Sequence, residues 1–388
     1  MALFASLPAL GVSDSCAAEL LAYSESSFAV PAGAGLLGES PTADEPFVAT
    51  WAAYENEAAE RGAFTVLRER IVQLRFPIAI GMGESEAYRA AMRHGVTSGA
   101  PDVGLALLRP EAVRLRLHAT PAGRIPVVIA EERADFECLV RALTCRNEPR
   151  PLPASMGACI VAGYNNWDRV ATARRAWSDT PAAERSDATW AQAFARMTKD
   201  PSRYQDRFIL LSTGPYSGRP AEALGLDPET WRTMSLIIRL EHECAHYFTR
   251  RIFGSMRNSI ADELIADYNG LVTATGRFRA DWFLQFMGLE GHPRFRAGGR
   301  LENYRGTPPL SDEAFDALRG LVVRAARALE HFVSDHVDNP SALRQRALMM
   351  TVLAMTPLDC LASDDAAEHL HAALVSASAS ADGAEARP

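Results

Sequence analysis

The chain has 388 residues, of which 48% are hydrophobic and 23% charged, and its formal net charge is −8. This composition is typical of a globular protein and excludes a collagen-like, low-complexity or wholly disordered chain. The acidic balance, without a long basic tract, gives no electrostatic reason to bind nucleic acid. We therefore expect a folded protein without a nucleic-acid partner.

The sequence also predicts where the protein resides. It contains no uncharged apolar run that approaches the ~18 residues needed to cross a membrane. The first basic residue is Arg61, so the segment before it lacks the charged region of a secretory signal. The six cysteines are scattered without a CxxC pair, which suits a reducing compartment better than a disulfide framework. We expect a cytoplasmic protein with no membrane partner.

The predicted elements divide the N-terminal half of the chain into two regions. Residues 1–60 are acidic and rich in small residues, and we expect them to form an irregular N-terminal arm. Residues 61–227 alternate between helical and strand-like patterns and predict an α/β region. Helices are predicted over residues 61–75 and 136–145, and strands over residues 76–81, 112–120, 124–131, 159–163 and 207–211. The second and third of these strands flank Pro-Ala-Gly and predict a β-hairpin.

The C-terminal half is predicted to be almost entirely helical. Residues 228–378 form this helical region, and residues 379–388 are small and polar and predict a disordered tail. Helices are predicted over residues 228–253, 260–273, 311–335, 341–355 and 364–375, with Gly254 and Ser259 as caps of the first two. A mixed α/β N-terminal half with short strands and a predominantly helical C-terminal half together predict an α+β fold.

One helix carries the pattern with the clearest chemistry. The letters HECAH, which begin at His242, form an HExxH motif. Because His242 and His246 lie four residues apart, their imidazoles project from the same side of the helix and can bind one tetrahedral zinc ion. Glu243 lies beside such a metal without binding it, where it can take a proton from water. Glu263 and Asp267 then lie four residues apart on one face of the next predicted helix.

This pattern resembles the gluzincin group of zinc metallopeptidases, in which HExxH is followed by a helix that carries ExxxD. The resemblance implies a zincin-like fold with a bound Zn²⁺ ion, for which His242 and His246 are two ligands. It further implies that Glu243 is the general base and that Glu263 is the third ligand. Asp267 would be the acid that holds the outer N–H of a ligand histidine and so fixes its tautomer and orientation.

The resemblance is limited to residues 236–271 and departs from two related patterns. The gap between His246 and Glu263 is a few residues shorter than in thermolysin-like enzymes and is more similar to that of compact gluzincins. Thr249 and Ile252 occupy the positions where the metzincin extension requires Gly and His, so that subgroup is excluded.

Each of these assignments has a structural alternative. His242 and His246 could be two packing residues of a buried helix. Asp262 could be the third ligand in place of Glu263, which would then be a first-turn charge that favours the helix dipole. Asp267 could be a solvated surface residue. The residues alone leave these alternatives open.

Substrate contacts are harder to place, and two segments offer candidates. Residues 292–306 contain His292, Arg300 and Tyr304, which could stabilise an oxyanion or hold a substrate carboxylate. The favoured alternative is a solvated basic loop that pairs with acidic surface residues. The resemblance also implies that a strand upstream of the HExxH helix pairs with an extended substrate, and residues 207–211 are the nearest such strand.

These observations predict a zinc-dependent hydrolase of an amide bond, most simply a peptide bond, with Glu243 as the general base. One alternative is a dedicated cytoplasmic zincin-like enzyme that acts on one small amide, ester or peptide-like metabolite in a biosynthetic pathway. Another is a non-catalytic zincin-like binding protein, against which the intact Glu243 argues. The expected partner is a peptide or a small amide-containing substrate, and the oligomeric state is left open.

Overall fold

The computed structural model describes residues 12–24, 28, 42–101, 103–254 and 259–385. These residues form a mixed α+β protein, as predicted, with one four-stranded sheet and a majority of helices. The α-helices and strands are, in chain order, α1 (Asp14–Ser24), α2 (Val48–Arg61), α3 (Ala63–Arg70), α4 (Glu86–His94), β1 (Arg114–Thr120), β2 (Gly123–Ala130), α5 (Arg133–Thr144), β3 (Ala158–Asn165), α6 (Trp167–Asp179), α7 (Trp190–Met197), β4 (Gln205–Ser212), α8 (Pro228–Phe253), α9 (Ile260–Thr275), α10 (Ala280–Met287), α11 (Asp312–His336), α12 (Leu343–Met355), α13 (Leu358–Leu361) and α14 (Ala366–Glu385).

The chain forms two compact units. The first, which we call the sheet unit, comprises Asp44–Ala119 and Gly123–Gly214. The second, the helical unit, comprises the described residues up to Ala43, the short segment Thr120–Ala122, and the chain from Pro215 onward.

These boundaries differ from the predicted ones after residues 60 and 227. The prediction placed the second boundary at the start of α8, whereas the turn that precedes α8 packs against that helix. The backbone N–H of Tyr216 donates to Ser235 Oγ at 3.1 Å, and Trp231 Nε1 donates to the carbonyl of Arg219 at 2.7 Å. A unit boundary follows such contacts rather than the first residue of a helix.

The two terminal regions contain more helix than predicted. The described part of the expected irregular arm holds α1 and α2, and α2 buries Val48, Trp51 and Tyr54 at a helical spacing of three. The predicted disordered tail continues α14 as far as Glu385, where alanines favour helix. The rest of the predicted arm, residues 1–11, 25–27 and 29–41, and the last three residues of the tail lie outside the described residues.

The sheet has the strand order β1-β2-β4-β3, with β2 and β4 parallel and β3 antiparallel to β4. The predicted hairpin strands and the strands at 159–163 and 207–211 are confirmed. Helices α2, α3 and α5 contribute to one hydrophobic core with the sheet, in which Trp51, Phe136 and Phe208 are fully buried. Buried Asp206 accepts hydrogen bonds from Trp51 Nε1 at 2.8 Å and from Asn166 Nδ2 at 2.7 Å, which ties α2 and the end of β3 to β4.

Two strand predictions are corrected by the sheet. Residues 76–81 form no strand, since Pro77 has no N–H for a neighbouring strand and Ile80 is 90% exposed. β4 covers the predicted strand at 207–211 but lies between β2 and β3. Both of its edges are therefore paired, and it cannot add an extended substrate to the sheet as we expected.

Helix α8 of the helical unit begins and ends at the predicted residues. Asp227 Oδ1 accepts from the backbone N–H groups of Glu229 at 3.0 Å and Thr230 at 2.9 Å, and Pro228 takes the first helical position. Gly254 ends the helix with a left-handed backbone, at a φ of 68°. Ser259 caps α9 through its side chain, also as predicted.

A buried polar network ties α8 to α9 and α12. Arg346 Nη1 donates to Glu241 Oε2 at 2.5 Å and to Thr273 Oγ1 at 2.9 Å. Asn269 Nδ2 donates to the carbonyl of Glu241 at 2.6 Å. Because Glu241 directly precedes His242, these bonds fix the rotation of α8 next to its HExxH motif.

In the part of the chain that the structure describes, none of the helices has both the length and the apolar surface needed to span a membrane.

Helices α8 and α9 approach each other most closely at Gly270. A Cβ atom on Gly270 would lie 2.7 Å from the backbone oxygen of Ile238, a distance that real Cβ atoms do not adopt. The absence of a side chain at this position therefore allows α9 to pack against the backbone of α8. This contact lies one turn from Asp267 on α9 and one turn from His242 on α8.

We expect Gly270→Ala to destabilise the protein by about 1–3 kcal/mol, because the new methyl group forces the two helix backbones apart. The matched control is Gly320→Ala on α11, where a Cβ would lie 4.0 Å from its nearest neighbour, His292 Nε2. That substitution is expected to be neutral or to stabilise, since alanine favours helix over glycine by about 1 kcal/mol. Urea unfolding of both variants measures the difference, and equal effects would refute the packing argument.

Candidate metal centre

Helices α8 and α9 bring His242, His246 and Glu263 into one cluster. The Nε2 atoms of the two histidines lie 3.1 Å apart. Glu263 Oε2 lies 3.6 Å from His242 Nε2, and Glu263 Oε1 lies 3.5 Å from His246 Nε2. The three side chains are buried, at 8%, 8% and 5% exposed. Their ligand atoms all lie within 4.8 Å of one another, so the three residues could hold one metal ion.

The outer nitrogens of both histidines face aspartates. His242 Nδ1 lies 2.9 Å from Asp267 Oδ1, and His246 Nδ1 lies 3.1 Å from Asp262 Oδ2. The hydrogen bond to Asp267 assigns the Nδ1–H tautomer to His242 and leaves its Nε2 lone pair directed to the interior of the cluster. Asp262 faces His246 Nδ1 at ion-pair distance, and neither of these two atoms forms a hydrogen bond within the described part of the chain. Thr249 Oγ1 in turn donates to Asp262 Oδ1 at 3.4 Å.

The sequence left open whether Asp262 or Glu263 is the third metal ligand, and the positions of these two residues bear on that choice. Glu263 faces the inner nitrogens, whereas Asp262 faces the outer nitrogen of His246. Asp267 is fully buried and faces His242, so it is not a solvated surface residue. Each histidine thus has an aspartate at its outer nitrogen, hydrogen-bonded in the case of Asp267 and at ion-pair distance in the case of Asp262. Sequence reasoning assigned this place to Asp267 alone.

Arg300 and Tyr216 hold Asp267 from two further segments. Arg300 lies in a short 3₁₀ turn, Arg300–Tyr304, and its guanidinium contacts Asp267 Oδ2. Tyr216 OH donates to Asp267 Oδ1 at 2.5 Å and lies 2.9 Å from His242 Nδ1. Arg300 Nη1 also donates to Tyr216 OH at 2.8 Å. The sequence offers no grounds for choosing Tyr216, because its place in a Gly-Pro-Tyr-Ser-Gly turn carries no periodic signal.

The electrostatics of the cluster favour a cation. Burial by itself raises the pKa of Glu263. His242, His246 and Arg300 lower this pKa by more than burial raises it, so that it lies well below its usual range. Three buried carboxylates and one guanidinium leave two negative charges when the histidines are neutral. Glu263 Oε2 is buried and accepts no hydrogen bond from any described residue, although Arg300 Nη2 lies 3.3 Å away. An orphaned carboxylate oxygen beside two inward nitrogens fits a divalent metal ion.

Glu243 and the three candidate substrate contacts have different environments. Glu243 is half-buried and forms no hydrogen bond or ion pair within the described part of the chain. Tyr304 is buried, and both burial and the adjacent Glu263 raise its pKa, so its phenol remains protonated at neutral pH. His292 is exposed and lies beside Gly320 of α11. The loop 292–306 therefore brings Arg300 and Tyr304 to the cluster but not His292.

The remaining arginines of the loop 292–306 behave as expected for a solvated basic loop that pairs with acidic surface residues. Arg296 Nε donates to Glu290 at 2.6 Å, and Arg305 pairs with Asp312 at 2.7 Å. Arg294 is exposed. The loop is thus partly a basic surface segment, and only its 3₁₀ turn contributes to the cluster.

We expect Asp262→Asn to weaken zinc binding by about 10- to 100-fold, because the substitution removes the negative charge that faces His246 Nδ1. The control is Asp335→Asn on α11, an exposed aspartate that should leave the affinity unchanged. Competition titration with a chromogenic chelator measures both affinities. A wild-type affinity in Asp262→Asn would show that the aspartate does not support the metal site.

Fold and site together define a class of protein, an α+β protein with a candidate metal centre of two histidines and one glutamate between two helices. Comparison with family models matches residues 5–365 to DUF7005, a family of unknown function, and the chain belongs to this family. No curated protein and no solved structure is detectably similar to the chain.

Proposed function

We propose that the protein is a zinc-dependent hydrolase of an amide bond with a zincin-like fold. The observation that carries this proposal is the meeting of Glu263 with the Nε2 atoms of His242 and His246 in one buried cluster. Two imidazoles and one carboxylate are a donor set of catalytic zinc sites, which keep a further position open for water or substrate. These three residues would hold the metal.

The chemistry follows from the residues around the cluster. A bound zinc ion supplies Lewis acidity that polarises water and a carbonyl group. Glu243, whose carboxylate has no partner among the described residues, takes the proton of the attacking water and returns it to the leaving amine. Asp267 and Asp262 keep the two histidine rings in the orientation that presents Nε2 to the metal.

Arg300 and Tyr304 have separate roles in this proposal. The guanidinium of Arg300 is already engaged by Asp267, Glu263 and Tyr216, so it positions these groups rather than binding a substrate carboxylate. Tyr304 keeps its proton because burial raises its pKa, and a protonated phenol beside Glu263 can donate to a developing oxyanion. Tyr304 is therefore our candidate for oxyanion stabilisation.

A substrate panel tests the proposal. Zinc-loaded protein is incubated with fluorogenic peptide amides, small acyl amides and esters, with and without a chelator. We expect turnover that the chelator abolishes and one equivalent of zinc restores. Hydrolysis of many unrelated peptides would support a peptidase, whereas cleavage of one small amide or ester with inert peptides would support a dedicated metabolic enzyme. Bound zinc without any hydrolysis would overturn the enzymatic proposal and favour a binding protein.

A further inference from the structure

A separate cavity of about 610 Å³ lies within the sheet unit. It is lined by α4, the end of α5 and strand β3, and none of its lining residues belongs to the candidate metal centre. Its volume is that of a pocket for a small organic molecule. Our inference about this cavity does not depend on the proposed hydrolase activity.

The lining of the cavity carries an excess of positive charge. Arg89, Arg93 and Arg146 line it together with a single acid, Glu84. Arg89 pairs with Glu84, and Arg146 Nη1 lies 3.6 Å from the same carboxylate. Arg93 is exposed and forms no hydrogen bond or ion pair with any residue that the structure describes. Three cations and one anion leave two positive charges, which attract an anion.

Glu148, whose carboxylate binds the backbone of the lining residue Gly83, does not cancel this excess at the wall. Glu148 is not a lining residue, and its two carboxylate oxygens accept the backbone N–H groups of Gly81 at 3.0 Å and Gly83 at 2.9 Å. A carboxylate held in this way by backbone amides is directed to the backbone rather than to the arginines.

The inner wall offers one unpartnered acceptor among apolar groups. Gln73 is 8% exposed, and its side-chain oxygen is buried without a hydrogen-bond partner in the described part of the chain. Leaving such an oxygen unpaired costs free energy, which a donor group of a ligand would recover. Tyr88, Met92 and Leu143 line the same cavity and provide aromatic and aliphatic surface.

The backbone around the cavity is irregular on two sides. The pairing of β3 with β4 is interrupted between Ala162 and Tyr164, where Gly163 has a φ of 74°. Arg146 adopts a left-handed backbone with a φ of 56°, although it is not a glycine. Bulges and left-handed residues of this kind re-aim side chains and concentrate at ligand sites. Both irregular positions belong to the lining.

We propose that this cavity binds a small organic anion that combines a carboxylate or phosphate group, an aromatic or apolar body and an N–H or O–H donor. The arginines at the rim bind the anionic group, and Arg93 contributes its unpaired charge. The body lies against Tyr88 and Leu143. The donor pairs with the buried oxygen of Gln73.

Two fluorescent probes with the same aromatic scaffold test the proposal. 8-Anilinonaphthalene-1-sulfonate carries an anion and an N–H donor, and N-phenyl-1-naphthylamine is its neutral counterpart. We expect saturable binding of the anionic probe at one site per chain. Arg93→Glu should weaken the anionic probe about tenfold or more and leave the neutral probe unchanged, since only the former uses the charge. Ala162→Phe, which fills the cavity, should weaken both probes.

A matched control separates this site from general surface charge. Arg174→Glu reverses an exposed arginine that does not line the cavity and should leave both probes unchanged. Equal losses in Arg93→Glu and Arg174→Glu, or full binding in Ala162→Phe, would overturn the proposal. Displacement of the anionic probe by phenyl phosphate alone assigns a phosphate ligand, and displacement by benzoate alone assigns a carboxylate. Displacement by both supports the shared chemistry, and displacement by neither contradicts it.

Discussion

Glu243→Gln is expected to lower kcat for amide hydrolysis by about 10²- to 10⁴-fold while the variant keeps its bound zinc. The amide has almost the shape of the carboxylate but cannot accept the proton of the attacking water. Glu243 forms no hydrogen bond or ion pair with the described residues, so the substitution breaks no contact that supports the fold. Steady-state kinetics on the substrate found in the panel, together with metal analysis of the same sample, measure both effects.

The control for this variant lies on the same helix. Glu229→Gln removes an exposed carboxylate from the first turn of α8 and should leave kcat unchanged. Its cost is limited to the helix-dipole contribution of about 0.3–1 kcal/mol in stability. Full activity in Glu243→Gln with zinc bound would refute the general-base role, and loss of zinc would assign Glu243 to metal binding instead.

His246→Ala is expected to remove zinc from the protein as purified without chelator, whereas the wild type should contain about one zinc per chain. Structural zinc sites with four ligands have binding free energies of about 10–16 kcal/mol. Divided equally among the four ligands, this free energy corresponds to about 10²- to 10³-fold in zinc affinity for each ligand. Loss of the zinc ion leaves the negative charges of Glu263, Asp262 and Asp267 without the cation that compensates them. Elemental analysis measures the metal, and it also distinguishes zinc from iron, which accepts the same donor set.

His331→Ala is the matched control, because His331 is exposed on α11 and should not change the metal content. Adding a chelator to the wild type should also lower its Tm, since a ligand at 100 times its Kd stabilises the folded state by about 2.7 kcal/mol. The chelator should not change the Tm of His246→Ala. Absence of metal from the wild type, even after zinc is added, would show that the histidines of the HExxH motif are packing residues of a buried helix.

The centre of the candidate site could be predicted from the sequence because its residues follow local rules. Two histidines four apart on one helix must project together, and the same spacing relates Glu263 to Asp267. Asp227, Gly254 and Ser259 defined the helix ends through capping chemistry that acts within a few residues. Only the pairing of the two helices had to be inferred from the resemblance.

The surroundings of the site could not be predicted, because they depend on contacts between distant residues. Arg300 reaches Asp267 across 33 positions, and Tyr216 reaches it across 51, with no spacing rule that relates them. Asp262 and Glu263 are adjacent in sequence, and only their placement on α9 directs one to the outer and one to the inner histidine nitrogens. Which of two neighbouring carboxylates faces the inner histidine nitrogens depends on the direction of each side chain. Composition and periodicity do not determine that direction.

The same division between local and distant information holds for the whole protein. Composition, periodicity and capping residues by themselves determined the α+β class, four of the five predicted strands and the helices that carry the HExxH and ExxxD patterns. Only the tertiary structure decided that β4 is a central strand with both edges paired, that Gly270 lets α9 approach α8, and that Gln73 and three arginines share one cavity. The physical reason is that local patterns depend on the conformation of a few consecutive residues, whereas edges, close approaches and cavities arise only when segments far apart in the chain pack together.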